Sequence, residues 1–146
     1  MKIYLAGPLF TQAERRWNRE LAAALVKLKP DLEIILPQDV ESEFRDDRLD
    51  FNAIFRQNIE SIEISDAIVA ILDGSDSDSG TAWECGYAYA KGKPVISVRT
   101  DFRASEDGNL NAMLSQSSDI VFQKSLNEDI VELGKKIIER LERLEA

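Results

Sequence analysis

The pattern of apolar and polar residues alternates along the chain between short strand-like runs and longer segments with helical spacing. It therefore predicts strands and helices in alternation. Strand-like runs occupy residues 2–6, 33–36, 67–72, 94–98 and 119–122. The run at 67–72 is continuously apolar, which is typical of a central strand in a parallel sheet that is covered on both faces. Apolar residues at helical spacing lie between these runs, at residues 12–28, 51–64, 81–91 and 126–144. The charged segment 39–50 interrupts the pattern and is interpreted as a long loop or an irregular helix.

This alternation predicts an α/β fold. Five strands separated by helices within 146 residues indicate one doubly wound, flavodoxin-like (Rossmann-like) domain over residues 1–146, built on a five-stranded parallel sheet. In the common strand order 2-1-3-4-5, the order reverses between the first and third strands, and ligands bind beyond the carboxyl ends of the strands at that point. The loops that follow these strands, residues 7–11 and 73–80, are therefore the predicted binding site.

Charge and composition exclude several classes of function. Eighteen Lys and Arg against 27 Asp and Glu give a net charge of −9, which repels a phosphate backbone and argues against nucleic acid as a partner. The chain has no histidine, so serine–histidine–aspartate catalysis, cysteine–histidine catalysis and histidine-bound metals are excluded within it. One cysteine, no apolar run long enough to cross a membrane and no signal-peptide pattern lead us to expect a cytoplasmic protein.

Glu84 is the main candidate for chemistry. From spacing alone, Thr81 and Glu84 form a capping box at the start of a helix, which is a structural role. A carboxylate in the first helical turn also lies near the positive helix end, which favours its charged, nucleophilic form. Asp78 brings a second carboxylate to the same junction, and such a pair can divide the cleavage of a glycosidic bond. Alternatively, Asp73, Asp76 and Asp78 only keep the loop hydrated.

A calcium-binding loop is a further alternative, because Glu84 is the twelfth position counted from Asp73. It is disfavoured because the sixth position, which requires glycine, is Asp78. The glycine motifs of P-loop and dinucleotide-binding proteins are absent. Cys85 is predicted to be a packed thiol and the aromatic residues to be mostly core, although Phe10, on its loop, can stack on a planar base.

Two motifs resemble those of the nucleoside 2-deoxyribosyltransferase family. The first is Ile3-Tyr4-Leu5-Ala6-Gly7-Pro8-Leu9-Phe10, and the second is Asp78-x-Gly80-x-x-x-Glu84-x-Gly86-Tyr87-Ala88, followed by Gly92-Lys93. The similarity runs in order from Lys2 to about Leu114. It implies a cytoplasmic enzyme of nucleoside salvage that acts on nucleosides and nucleobases and moves 2-deoxyribose between bases without a cofactor or a metal.

The resemblance also implies roles for single residues. Glu84 would be the nucleophile that forms a covalent deoxyribosyl intermediate, and Tyr4 would orient it by a hydrogen bond. Asp78 would lie near the 5′-hydroxyl of the sugar, and Gln38 would contact the base. Asn111 resembles an asparagine that relatives lend to the site of a neighbouring subunit, so a homo-oligomer, a dimer or larger, is expected. Each of these residues also has a purely structural interpretation, in the core or in a hydrated loop.

The same motifs place Gly7, Gly80 and Phe10 beside the substrate. Asn58 is a departure, because transferases of the family have an aspartate there that faces the base. An amide can form a hydrogen bond with a base but cannot readily supply a proton to it. The departure bears on protonation of the leaving base, on base preference and on the efficiency of transfer.

Two rival functions follow from the same residues. Related N-glycosidases use the same glutamate on deoxynucleoside 5′-monophosphates and pass the sugar to water, but they hold the phosphate with serines and an arginine. Asp78 stands where one such serine is expected and would repel a phosphate. The side chains Ser75, Ser77, Ser79 and Arg99 keep this alternative open. The second rival is a non-catalytic nucleoside- or nucleotide-binding module.

Overall fold

The central sheet has five parallel strands, β1 (Lys2–Ala6), β2 (Glu33–Ile35), β5 (Ala67–Ile71), β6 (Val95–Arg99) and β7 (Asp119–Phe122). Their order across the sheet is β2-β1-β5-β6-β7. The computed structural model describes residues 1–39, 44–45, 48–103, 110–123 and 125–146, with the side chains of Phe44, Arg45 and Arg48 left out. The strand order confirms the predicted reversal, because the chain leaves β1 toward β2 on one side and returns to β5 on the other.

Helices cover both faces of the sheet. One face is covered by α1 (Gln12–Leu28) and α5 (Ile130–Glu145), and the other by α2 (Phe51–Ile64), α3 (Ser79–Ala90) and the short α4 (Ala112–Gln116). This confirms the predicted doubly wound α/β fold. The helix α4 was not predicted, since five residues are too few to display a helical period.

Side chains alternate between the two faces along each strand, as a pleated backbone requires. On β1, Ile3 and Leu5 pack against α1 and α5, whereas Tyr4 and Ala6 pack on the face of α2 and α3. A tyrosine in the middle of a buried strand therefore directs its hydroxyl toward α2 and α3. This alternation positions the candidate site.

Two helix ends show how local polar residues set the boundaries. Thr11 and Glu14 form a reciprocal capping box at α1, where the Glu14 backbone N–H donates to Thr11 Oγ1 at 3.2 Å. Asp129 caps α5 by accepting from the backbone N–H groups of Val131 and Glu132. The prediction that this helix begins at Leu126 was wrong, because the cap starts it four residues later.

The charged segment 39–50 is only partly described. Residues 37–39 form a short 3₁₀ turn, and β3 (Phe44–Arg45) and β4 (Arg48–Leu49) pair antiparallel. The prediction of a loop or irregular helix was wrong at this strand pair, and residues 40–43 and 46–47 lie outside the described residues. No helix within the described part of the chain is both long enough and apolar enough to cross a membrane.

Candidate active site

Asp78 and Thr81 define the start of α3 and thereby the position of Glu84. The Asp78 carboxylate accepts hydrogen bonds through Oδ2 from the Thr81 backbone N–H at 2.8 Å and from its hydroxyl at 2.9 Å. Asp78 is thus the N-cap, and the predicted capping box of Thr81 and Glu84 was wrong. Because the helix begins two residues earlier than predicted, Glu84 lies in its second turn, and its carboxylate is left for other partners.

Glu84 is held by side chains from two other elements. The Tyr4 hydroxyl, from the middle of β1, donates to Glu84 Oε1 at 2.7 Å. The Asn58 amide, from α2, donates to the same oxygen at a longer 3.4 Å. Oε2 accepts no hydrogen bond from the described residues. The carboxylate is therefore fixed through one oxygen while the other remains available.

The surroundings of Glu84 and Tyr4 raise the pKa of both side chains. Burial, partly offset by the hydrogen bond from Tyr4, raises the pKa of Glu84 from 4.5 to about 7, and the negative charge of Asp78 adds to the rise. Burial together with the Glu84 charge raises the pKa of Tyr4 well above its ordinary value. Tyr4 hence stays a proton donor at every physiological pH, and Glu84 exchanges its proton near neutrality.

The carboxylate of Glu84 borders a pocket of about 470 Å³ at the carboxyl ends of β1 and β5. Both loops that the strand order predicts contribute to it. Polar and apolar residues share its wall, and they are Gly7, Leu9, Phe10, Arg15, Pro37, Gln38, Leu49, Phe51, Ile54, Gln57, Asn58, Asp78, Gly80, Thr81 and Glu84. Six of the seven positions expected beside the substrate, together with Glu84, are thus brought to one cavity.

The two motif glycines, Gly7 and Gly80, lie where a Cβ atom would be too close to a neighbouring side chain. A Cβ atom at Gly7 would stand 3.2 Å from Cβ of Ile71, and one at Gly80 would stand 3.2 Å from Oδ2 of Asp78. A side chain at Gly7 would push the first loop away from the end of β5. A side chain at Gly80 would disturb the carboxylate that caps α3.

Two predicted residues differ from their expected settings. Asn111 does not line the pocket of its own chain, and its Oδ1 accepts from the Met113 backbone N–H as the N-cap of α4. Tyr4 does not appear on the pocket wall, because its ring is fully buried beneath Glu84 and reaches only the carboxylate. Its contact is with the candidate nucleophile and not with the cavity.

Two polar pocket residues, Arg15 and Gln57, were missed at the level of sequence. Arg15 lines the cavity and ties down the first loop, donating through Nη1 to the carbonyls of Leu9 and Phe10 at 2.9 Å each. Gln57 lines it from α2, three residues after Ile54. That helical spacing, taken together with the expectation for Asn58, was a signal that would have found Gln57.

The remaining reactive groups do not form a second catalytic constellation. Cys85 is buried, and burial raises its pKa to about 12, so it is a packed thiol as predicted. No group of three or more cysteine and carboxylate side chains in the described ranges is arranged to hold a metal ion. The aspartates of residues 73–78 act separately: Asp73 accepts from the backbone N–H groups of Thr100 and Asp101, while Asp78 caps α3.

Arg99, a possible phosphate ligand in the nucleotide alternative, does not line the Glu84 pocket. Its side chain is buried, donates to the carbonyls of Leu72 and Gly74, and lines a different cavity at the ends of β6 and β7. Neither Ser75, Ser77 nor Ser79 lines the Glu84 pocket. Arg15 is the cationic side chain on that wall.

An exposed aromatic surface adjoins the pocket. Phe55 and Trp83 pack edge to face with ring centres 5.7 Å apart, and Trp83 stacks on Tyr87 at 5.4 Å. Trp83 is 51% exposed and Phe55 54%, so the expectation that the aromatic residues are mostly core was wrong here. A groove of about 380 Å³ connects this surface to Glu84. We call these three rings, with Phe51, the aromatic surface.

Comparison with known proteins gives the family. The profile of the nucleoside 2-deoxyribosyltransferases matches residues 3–141. An uncharacterised protein of Ureaplasma parvum serovar 3 is 33% identical in a 122-residue alignment that covers 75% of this chain and 76% of that protein.

Solved structures agree with the profile. A conserved protein of Enterococcus faecalis V583 is similar with a TM-score of 0.77 and 30% identity, over 96% of this chain and 98% of that one. The 2-deoxyribosyltransferase of Bacillus psychrosaccharolyticus is similar with a TM-score of 0.67 and 27% identity, over 91% and 96%. A CMP N-glycosidase of Clostridium botulinum, at 16% identity, a TM-score of 0.59 and coverage of 97% and 99%, shares the fold alone. The chain belongs to the nucleoside 2-deoxyribosyltransferase family.

Proposed function

We propose that this protein transfers 2-deoxyribose from one nucleobase to another through a covalent deoxyribosyl–Glu84 intermediate. The observation that carries the proposal is the Glu84 carboxylate, fixed by Tyr4 at 2.7 Å and set in a pocket of about 470 Å³. Membership of the family supports the substrate class. Cytoplasmic nucleoside salvage is the role that fits this reaction.

In the first half-reaction, a carboxylate oxygen of Glu84 attacks the anomeric carbon from the face opposite the base. The oxygen–carbon bond forms as the bond from carbon to base nitrogen breaks, through an oxocarbenium-like transition state. Oε2 is the oxygen suited to attack, because Oε1 already accepts from Tyr4 and Asn58. The bond from Tyr4 holds the carboxylate in position and helps to keep it ionised.

In the second half-reaction, a nitrogen of another base attacks the same carbon and releases the Glu84 carboxylate, so configuration is retained overall. The acceptor base loses the proton that the leaving base gains, and the exchange requires no net acid. The Asn58 amide is too weak an acid to transfer a proton readily, so its role is limited to hydrogen bonding. If water replaces the acceptor base, the same intermediate gives free 2-deoxyribose.

Asp78 is proposed to bind the 5′-hydroxyl of the sugar. Its Oδ2 is occupied by Thr81, and Oδ1 has no donor among the described residues, which leaves an acceptor for a hydroxyl group at the pocket wall. A phosphate in the same place would be repelled by this carboxylate. The seclusion of Arg99 and of the three serines from the pocket also favours a nucleoside over a 5′-monophosphate.

Chromatography of purified protein with 2′-deoxyinosine and excess adenine tests the proposal. We expect deoxyadenosine that depends on added adenine and is absent with Glu84→Gln. Free 2-deoxyribose with and without adenine, and no deoxyadenosine, would instead establish a hydrolase. A parallel reaction with deoxynucleoside 5′-monophosphates distinguishes the nucleotide N-glycosidase from a nucleoside enzyme.

Trapping tests the covalent step and separates the enzyme from a binding module. A 2-fluoro-substituted deoxynucleoside slows hydrolysis of the intermediate, so intact mass spectrometry should show one added sugar on the wild-type chain. Peptide mapping should place it on Glu84, and Glu84→Gln should show none. A wild-type chain that binds the nucleoside but never gains the sugar or releases base would support the binding module.

We also propose that the working unit is a homo-oligomer in which Asn111 completes a neighbouring site. Asn111 does not reach its own pocket, and the aromatic surface beside that pocket is exposed although its largest side chains are apolar. The chain charge of −9 disfavours contact between copies, but this surface carries little net charge, since Lys91 pairs with Glu63 beside Tyr87.

Mixing two inactive variants tests shared sites. Glu84→Gln and Asn111→Ala should each be inactive or nearly so, and a refolded one-to-one mixture should regain activity, because mixed dimers contain one intact site. About a quarter of wild-type activity is the random-mixing expectation. A mixture as inactive as its parts, together with a monomeric mass in sedimentation, would contradict the proposal.

A further inference from the structure

Two glutamines, Gln38 and Gln57, line the same pocket, and their amides are used differently. Gln38 follows β2 in a 3₁₀ turn, whereas Gln57 lies on α2 one residue before Asn58. The resemblance to relatives assigns base contact to Gln38. The hydrogen bonds in this chain point to the other glutamine.

The amide of Gln38 is engaged on both ends within the protein. Its Nε2 donates to the Arg15 carbonyl at 2.8 Å, and its Oε1 accepts from Asn18 Nδ2 at 3.0 Å. Asn18 is buried and also donates to the Pro8 carbonyl at 3.0 Å. Gln38 is therefore part of a network that fixes α1 and the loop after β1, and turning its amide would break two bonds.

The amide of Gln57 has no hydrogen-bond partner among the described residues. The side chain is half-buried on the pocket-facing side of α2, since Ile54 and Asn58, three residues before and one after it, line the same cavity. Asn58 directs its amide to Glu84. Gln57 therefore places an uncommitted donor and acceptor on the wall of a pocket whose neighbouring side chains include the apolar Phe10, Phe51 and Ile54.

This setting suits the edge of a planar base. Apolar side chains and rings cover the faces of a base, while a glutamine amide can donate and accept side by side along its edge. We propose that Gln57 is the specificity residue that binds the nucleobase edge carrying the purine 6-substituent, and that Gln38 is a positioning residue for the pocket wall. The inference rests on the proposed function, because it presumes that a base occupies this pocket.

The freedom of the Gln57 amide has a consequence for base choice. Rotation by half a turn exchanges its donor and acceptor, so it can pair with the 6-amino group of adenine or the 6-carbonyl of hypoxanthine. Unsubstituted purine lacks both groups. We therefore expect the wild-type chain to bind adenine and hypoxanthine similarly, and each about five- to tenfold tighter than purine, as one hydrogen bond provides.

Calorimetric titration of free bases tests this without any turnover. The three ligands are adenine, hypoxanthine and purine, and the chains are wild type, Gln57→Leu and the matched control Gln38→Leu. Gln57→Leu should bind all three bases alike, losing the five- to tenfold preference. Gln38→Leu should lower the melting temperature and weaken all three bases together, keeping the preference.

Three outcomes would overturn the inference: no preference in the wild type, a preference retained by Gln57→Leu, or a preference lost in Gln38→Leu. Because each ratio compares ligands within one variant, general loosening of the pocket cancels. If no purine binds while base exchange is observed with other bases, the inference alone fails. If neither binding nor exchange is observed, the proposed function fails as well.

Discussion

The two faces of the sheet differ in what they bury. The face of α1 and α5 is lined by aliphatic side chains, with Leu25 and Ile137 fully buried among strand residues such as Leu5. The face of α2 and α3 buries Tyr4 and part of Glu84 and leaves aromatic rings exposed. The strands that separate the two faces are the same, so the difference comes from alternate residues of one sequence.

The comparison separates stability from chemistry within a single domain. Aliphatic packing on the first face removes apolar area from water without conflicting polar demands. On the second face, a carboxylate is desolvated and its ionisation is made costly, which destabilises the folded chain at the position of the proposed nucleophile. A substitution on one face should therefore change mainly the property that this face provides.

Replacing Glu84 by Gln should give the largest effect, on activity. The amide keeps the size of the side chain and can still accept from Tyr4, but it is not a nucleophile, so we expect kcat/KM to fall at least about a thousandfold, roughly 4 kcal/mol in the barrier. Initial rates of base exchange measure the loss. Circular dichroism should show an unchanged fold, and residual activity above a few per cent would contradict the assignment.

Replacing Ile137 by Ala should sharpen the comparison from the opposite face. The side chain is fully buried between α5 and the sheet, so we expect the free energy of unfolding to fall by about 3 kcal/mol. Urea denaturation measures it, and Leu144→Ala, at a 44% exposed position of the same helix, is the control with a much smaller effect. The folded fraction should keep normal kcat/KM; a loss there would show that the faces are not independent.

The ionisation of Glu84 should make stability depend on pH. Its folded pKa of about 7 lies above the unfolded value of 4.5, so the folded state binds more protons between these values, and its stability falls as pH rises through that window. Glu84→Gln lacks this loss. We expect its advantage in unfolding free energy over wild type to grow by about 3 kcal/mol from pH 4.5 to pH 8. An advantage that stays constant across that range would show that the carboxylate is not desolvated.

Replacing Tyr4 by Phe should have the smallest effect of the four. The ring still fills its place, but Glu84 loses a donor, and because that bond lowers its pKa the value should rise further. The nucleophile is ionised above its pKa, so the wild-type kcat/KM should rise with pH through about 7 and then level off. In Tyr4→Phe we expect about a tenfold lower kcat/KM at pH 7, with this limb moved to higher pH. If the pH profile of kcat/KM has a lower plateau but rises over the same pH range as in the wild type, Tyr4 has only a packing role.

Most strands and helices could be predicted from the sequence, because they depend on residues that are close together in the chain. The apolar run at residues 67–72 can keep all its side chains from water only in a sheet that is covered on both faces. The apolar stripe of α1 repeats over seventeen residues, so both elements were predicted closely. The start of α3 was not, because Asp78 and Thr81 are both good caps and spacing does not rank them. The start of α5 was misplaced for another reason, because the apolar Leu126 was counted in the helical stripe although the cap, Asp129, lies after it.

The sequence by itself determined the alternation of strands and helices, and with it the edge where the loops of β1 and β5 meet, because periodicity and turn residues act locally. Only the tertiary structure decided which polar groups pair. Tyr4 and Glu84 are eighty residues apart, and their contact exists because β1 pairs with β5 and α3 packs against β5 on the face that carries Tyr4. The roles of the two glutamines were decided in the same way, since a hydrogen bond from Asn18, twenty residues away from Gln38, engages one amide and leaves the other to the pocket.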